Sequence, residues 1–160
     1  MDSPLNILLA EDERAVAFSI CFALKPDGHR IEMVADGEQA LAEATGKPGT
    51  FDLLITDHSM PRMNGVELVK RLREMDFRGK ILVLSAHRSA ENRAVYAELG
   101  VDGLLPKPFD LFQLRDLIGR IVRGKAPPVS EQADPLQVGR TELYRLLKLG
   151  LSEEGSQPDQ

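Results

Sequence analysis

Cysteine is almost absent: Cys21 stands alone in 160 residues. That excludes a disulfide scaffold within the chain and leaves only a bridge between two chains. Its place inside an apolar helical pattern from Ala15 to Leu24 reads as a small apolar residue, buried or half-buried. No apolar run approaches the roughly 20 residues of a membrane-spanning helix. Met1 to Pro4 leads into a strand pattern with no basic start and long apolar run. No window concentrates Lys and Arg, and the formal net charge is -5, which argues against direct DNA binding or any other grip on a phosphate backbone. His29, His58 and His87 are scattered over different segments without zinc-ligand spacing. A glycine-rich nucleotide loop is missing after the first strand pattern, where Ala10 to Glu13 supplies acids instead. No internal repeat is evident. The expectation is a soluble, cytoplasmic protein with no membrane segment.

What is present is alternation. At 160 residues and 42% hydrophobic content, one globular domain with a tail is expected, and two full domains would be crowded. Apolar runs at 5–9, 30–34, 52–56, 80–85 and 101–105 read as strands. Between and after them lie helical patterns. The first carries Ala15, Phe18, Cys21 and Phe22 at helical spacing and closes at Pro26 to Gly28. The second runs from Gly37 to about Thr45, with Asp36 and Gln39 as a cap. The third has Val66, Leu68, Val69 and Leu72 on its apolar side behind Asn64 and Glu67. The fourth follows Ser89, with Ala90, Ala94, Val95 and Ala97 as packing residues, and the fifth follows Asp110 and Gln113 with a stripe of Leu111, Leu114, Leu117, Ile118 and Ile121. Five strands alternating with five helices predict an α/β fold with a mostly parallel sheet and helices on both faces, in three layers. The domain is expected over 1–123. Residues 124–160 read as a linker-like tail with a short helix at 139–150, marginal unless it docks.

Asp57 organises this pattern, as the first carboxylate beyond the run Leu53 to Ile55 and just before the turn at Met60 and Pro61. In an open α/β sheet, the carboxyl ends of the strands are where ligands bind. If the first and third strands are adjacent, Glu11, Asp12 and Asp57 emerge at one rim. Three converging carboxylates repel unless a cation joins them, and hard oxygen ligands suit Mg²⁺, with Mn²⁺ as an alternative. The bland reading stays open: Glu11 to Glu13 can simply favour a helix N-terminus and face solvent. Ser85 ends the fourth strand and Lys107 follows the fifth, so a hydroxyl and an ammonium share that rim. Together they form a pocket in which Asp57 could attack phosphorus while Lys107 and Ser85 hold the remaining charge. Ser59 and His87 lie beside the site, where they could affect the water that attacks an acyl phosphate.

With Glu11-Asp12, the segment Asp57, Met60, Pro61, Met63 and Gly65, the pair Ser85-Ala86 and the run Lys107-Pro108-Phe109, residues 5 to about 122 resemble the receiver domain of two-component response regulators. The resemblance implies a flavodoxin-like, CheY-like sheet of order 2-1-3-4-5. It implies that Asp57 accepts a phosphoryl group from a histidine kinase or histidine phosphotransfer protein, and that Glu11, Asp12, Asp57 and the backbone carbonyl of Ser59 hold Mg²⁺. It implies a moving hydroxyl at Ser85, an ion-pair partner at Lys107 and a cis bond before Pro108. The family often has an aromatic switch three residues before the lysine, where this chain has Leu104. The output is then a protein surface, for a downstream protein target or for a homodimer through the fourth helix, fifth strand and fifth helix. Catalysis is limited to self-phosphotransfer and autodephosphorylation. Two rivals are a docking or dimerisation module independent of phosphorylation and an aspartyl phosphohydrolase. The latter expects a second acid two residues after the nucleophile, where Ser59 stands.

Overall fold

The computed structural model describes residues 3–86 and 89–132. Its elements run β1 (Asn6–Ala10), α1 (Arg14–Leu24), β2 (Arg30–Val34), α2 (Gly37–Gly46), β3 (Leu53–Asp57), α3 (Gly65–Glu74), β4 (Lys80–Ser85), α4 (Ala90–Glu98), β5 (Gly103–Pro106) and α5 (Leu111–Val122). The five strands form one sheet of order β2-β1-β3-β4-β5, and every pairing is parallel. All strands therefore end at the same rim. The central strands are uninterrupted apolar runs because both faces of a parallel sheet are covered. Alternate residues serve the two sides: Leu8, Leu54, Ile81 and Val83 pack with Ala40, Leu68, Leu72 and Tyr96. Ile7, Leu9, Leu53, Ile55, Leu82 and Leu84 pack with Ile20, Leu24, Leu114 and Ile118. Thus α2, α3 and α4 cover one face, and α1 and α5 the other. Each such Leu or Ile, fully withdrawn from water, contributes about 1.5–3 kcal/mol before chain entropy is counted.

The helix starts follow the capping residues. Asp36, Asn64, Ser89 and Asp110 each accept a hydrogen bond from the backbone N–H three residues on, and Asp110 with Gln113 completes a reciprocal box.

Two apolar faces differ from expectation. In α1 the buried residues are Ala17, Ile20 and Leu24, while Phe18 is 60% and Phe22 80% exposed. The strongest hydrophobes on that helix thus face outward, because the space over the sheet is filled by the next stripe round. In α4 the main contact is made by Tyr96, fully removed from solvent, with Ala97 of the expected small residues packing beside it, half-buried. Asp57 also closes β3 itself rather than following it.

Beyond α5, the linker-like stretch turns back onto the domain. Residues Val129–Glu131 form a 3-10 turn with Val129 buried in the α2–α4 side core. The helix expected at 139–150 lies outside the described residues. Among the described residues, no helix is long and apolar enough to cross a membrane.

Candidate functional site

Parallel register brings the site together. Ala10 pairs with Thr56 and Asp57 with Leu84, so the residues that follow β1, end β3 and end β4 stand side by side. Glu11, Asp12 and Asp57 each present an oxygen within 4.8 Å of the others. Glu11 and Asp57 are buried and Asp12 is exposed, which gives the cluster one open side. Lys107, carried in by the end of β5, places Nζ 3.2 Å from Glu11 Oε2 and 3.2 Å from Asp57 Oδ2. Its own N–H donates to the Ser85 carbonyl at 2.8 Å, so the lysine and the buried serine are tied through the backbone. The Lys107-Pro108 peptide is cis.

The electrostatics are those of an under-neutralised acid pair. Burial pushes the Glu11 carboxyl up to about 7; the Glu13 N–H bond pulls it down, the Asp57 charge pushes it further up, and Lys107 again opposes. Burial works against the Lys107 charge, but the Asp57 and Glu11 carboxylates outweigh it and hold the ammonium above its ordinary range. One ammonium facing two buried carboxylates and a third exposed one leaves room for a divalent cation. An all-oxygen donor set suits Mg²⁺, which keeps several waters and favours carboxylate and phosphate partners.

The remaining expected residues fall unequally. Ser59 is exposed in the turn after β3, and Leu104 is buried in β5 in the same core as Tyr96. His87 lies outside the described residues.

Three neighbours of the site were given no role of their own in the sequence, although Gly65 belongs to the motif that carries the resemblance. His58, directly after Asp57, has Nδ1 2.5 Å from the Tyr96 hydroxyl, with the rings edge-on at 5.7 Å between centroids. Its Nε2 lies 3.5 Å from Asn92 Nδ2, one turn earlier on α4. Gly65 opens α3 at a point where a Cβ would stand 2.8 Å from the Asp57 carbonyl oxygen and 2.9 Å from the Tyr96 hydroxyl. Arg62, at φ 68°, reaches the buried Asp36 with Nε at 3.0 Å, pinning the β3–α3 loop to α2. The Gln39 N–H, then Arg62, holds the Asp36 carboxyl below its ordinary range. The position of His58 beside Asp57 and the motif glycine Gly65 were usable signals; Tyr96 depends on which helix face turns inward, and Arg62 on the path of the β3–α3 loop.

Residues 7–119 match the response regulator receiver domain. The chain is 35% identical over 125 residues to the response regulator MprA of Mycolicibacterium vanbaalenii, covering 78% of this chain and 53% of that protein. It is 33% identical over 157 residues to the DNA-binding transcriptional regulator NtrC of Azospirillum brasilense, covering 91% of this chain and 32% of that protein. The chain thus spans about half the length of MprA and a third of that of NtrC. Among solved structures, the chemotaxis response regulator CheY4 of Vibrio cholerae superposes with a TM-score of 0.68 at 30% identity, over 74% of this chain and 99% of that one. An acid cluster at the rim of a parallel 2-1-3-4-5 sheet, with a lysine across it, thus coincides with a family match over most of the described residues. The chain belongs to the receiver domains of response regulators, the phosphorylatable switches of two-component signalling.

Proposed function

We propose that Asp57 is the phosphoryl acceptor, supplied by a histidine kinase or a histidine phosphotransfer protein. The observation that carries this is the position of its buried carboxylate, 3.2 Å from Lys107 and within 4.8 Å of Glu11 and Asp12. An Asp57 oxygen attacks phosphorus of the phosphohistidine; the new P–O bond forms as the P–N bond breaks, and its electron pair returns to the imidazole nitrogen. Lys107 and the Ser85 hydroxyl take up the charge on the phosphoryl oxygens. Hydrolysis reverses the switch: water attacks phosphorus and the carboxylate leaves.

Glu11, Asp12, Asp57 and the Ser59 carbonyl are the residues that would hold Mg²⁺, or Mn²⁺ in its place. The ion supplies positive charge that lets phosphate oxygens approach three carboxylates. Ser59 and the neighbouring His87 are the positions that would tune phosphoryl lifetime through access of water. Leu104 would fill the space behind a displaced Ser85 by a rotamer change, without an aromatic ring.

The donor protein has an apolar place to rest. Phe18 shares a surface depression with Glu11, Asp12 and Met33, and the exposed Phe22 lies one turn further along α1. The output is a surface read by a downstream protein, and the setting we infer is the cytoplasm, where kinases of this class deliver phosphoryl groups.

The test is incorporation of phosphate from a small phosphodonor with Mg²⁺, compared with Asp57→Asn. Stable incorporation in the parent and none in the variant supports the assignment. Equal incorporation sinks it.

A further inference from the structure

The outer edge of β5 is not bare. Its Leu104 N–H donates to Gln132 Oε1 at 3.0 Å, and the Gln132 amide Nε2 donates to the Asp102 carbonyl at 3.2 Å. One side-chain amide thereby stands where a peptide group of a sixth strand would stand, with its donor and acceptor both used on the strand edge. The same Nε2 also donates to the Pro127 carbonyl at 2.8 Å, which folds the segment onto itself in the shape that fits. Three residues earlier, Val129 is 3% exposed and buried in the core that holds Tyr96, Val101 and Leu104. The stretch therefore grips the backbone of β5 with one residue and the α4-side core with another.

We propose that Pro127 to Gln132 is a built-in occupant of the strip between α4 and β5, and that phosphorylation of Asp57 releases it. This rests on the assignment of Asp57 as acceptor. The mechanical link is short. Pro106 pairs with Ser85, Lys107 N–H is bonded to the Ser85 carbonyl, and Leu104 lies on the strand that ends one residue before Lys107. A phosphoryl group that draws Ser85 and Lys107 toward Asp57 pulls on the strand whose edge Gln132 holds, while Val129 stays bound to the other side. The two grips are set for the unphosphorylated spacing, so moving one loosens the segment. Release bares the Leu104 N–H and the Asp102 carbonyl, an unpaired strand edge with an apolar seat beside it. A second copy or another protein reaches that edge only after the segment leaves.

Reciprocity gives the test, because a segment released by phosphorylation must itself oppose phosphorylation. The full chain is compared with Gln132→Ala and Val129→Asp, reading phosphate uptake from acetyl phosphate with Mg²⁺ and the affinity for beryllofluoride with Mg²⁺. Both variants should bind beryllofluoride at least about fivefold more tightly, the lower range of allosteric coupling. In the parent, hydrogen exchange at the Leu104 amide should speed up by a similar factor when beryllofluoride is added. Amide protection in β1 and β3 reports that each variant is folded, and Gln132→Ala removes no core volume. Affinities equal to or weaker than the parent, or a Leu104 amide indifferent to beryllofluoride, overturn the proposal. A parent that takes up neither phosphate nor beryllofluoride overturns the assignment of Asp57 instead.

Discussion

The Tyr96 hydroxyl meets His58 Nδ1 at 2.5 Å, so the residue after Asp57 is bonded to the last turn of α4. The phenol is fully buried, and burial, then the Asp57 charge, pushes its pKa well above the ordinary range; it stays a neutral hydroxyl. Tyr96→Phe keeps the ring and deletes the bond. It should cost about 1 kcal/mol, as for a buried hydrogen bond whose partner stays behind, whereas Tyr96→Ala should cost about 3–5 kcal/mol. Urea unfolding of the two variants measures both. A Tyr96→Phe protein as stable as the parent would remove the bond from the account.

Gly65 is required by space. Its φ needs no glycine, but an added methyl would meet the Asp57 carbonyl and the Tyr96 hydroxyl together. Gly65→Ala should destabilise by about 1–3 kcal/mol through overpacking and slow phosphoryl uptake as well, since the displaced carbonyl belongs to the acceptor residue. Gly46→Ala, with open space around the new methyl, is the control and should be neutral or slightly stabilising.

Glu11 makes cation binding depend on pH. With the carboxyl at about 7 in the free protein, the ligand is mostly protonated at pH 6 and mostly ionised at pH 8. Mg²⁺ affinity should therefore rise about tenfold from pH 6 to 8 and level off above. Titration calorimetry in buffers of different ionisation heat would show a proton released on binding at pH 6. Glu11→Gln should flatten the profile.

The same shift has the opposite sign for folding without a cation. A carboxyl raised above its unfolded value binds more protons in the native state across the interval from about 4.5 to 7. Stability from this group is present below about 4.5 and is lost as pH rises through 7. Added Mg²⁺ should then raise the melting temperature more at pH 8 than at pH 6; equal shifts would contradict a protonated Glu11.

Lys107→Met leaves Glu11 and Asp57 facing each other without the ammonium. The metal-free protein should lose stability, because both acids are buried, and Mg²⁺ should recover more of it than in the parent. Phosphoryl uptake should fall by one or more powers of ten, on the order of the loss for one charge-stabilising donor.

The strands, the helix starts and the place of Asp57 at a strand end were legible because they rest on features local in sequence; the strand order, and with it the rim cluster, came from the family resemblance. Apolar runs such as Leu53 to Ile55 declare a strand buried on both faces, and Asp36, Asn64, Ser89 and Asp110 mark helix starts by their own side chains. The helix faces were less legible. Periodicity alone let Phe18 and Phe22 pass for core, because α1 offers a second stripe, Ala17, Ile20 and Leu24, of nearly equal spacing. Small residues drew attention on α4 away from Tyr96, whose inward turn is set by His58, 38 positions earlier. The return of Val129 and Gln132 was hidden for the same reason: proline-rich composition describes stiffness and says nothing of where the segment ends up.

The clamp between Arg62 and Asp36 gives the pocket a stationary wall. With Gly37 lying so close to Met63 that no side chain fits between them, the α2 and α3 side has little freedom to yield. Any push delivered at Asp57 is thrown toward β5 and α4, as a vice with one fixed jaw sends all its travel into the other.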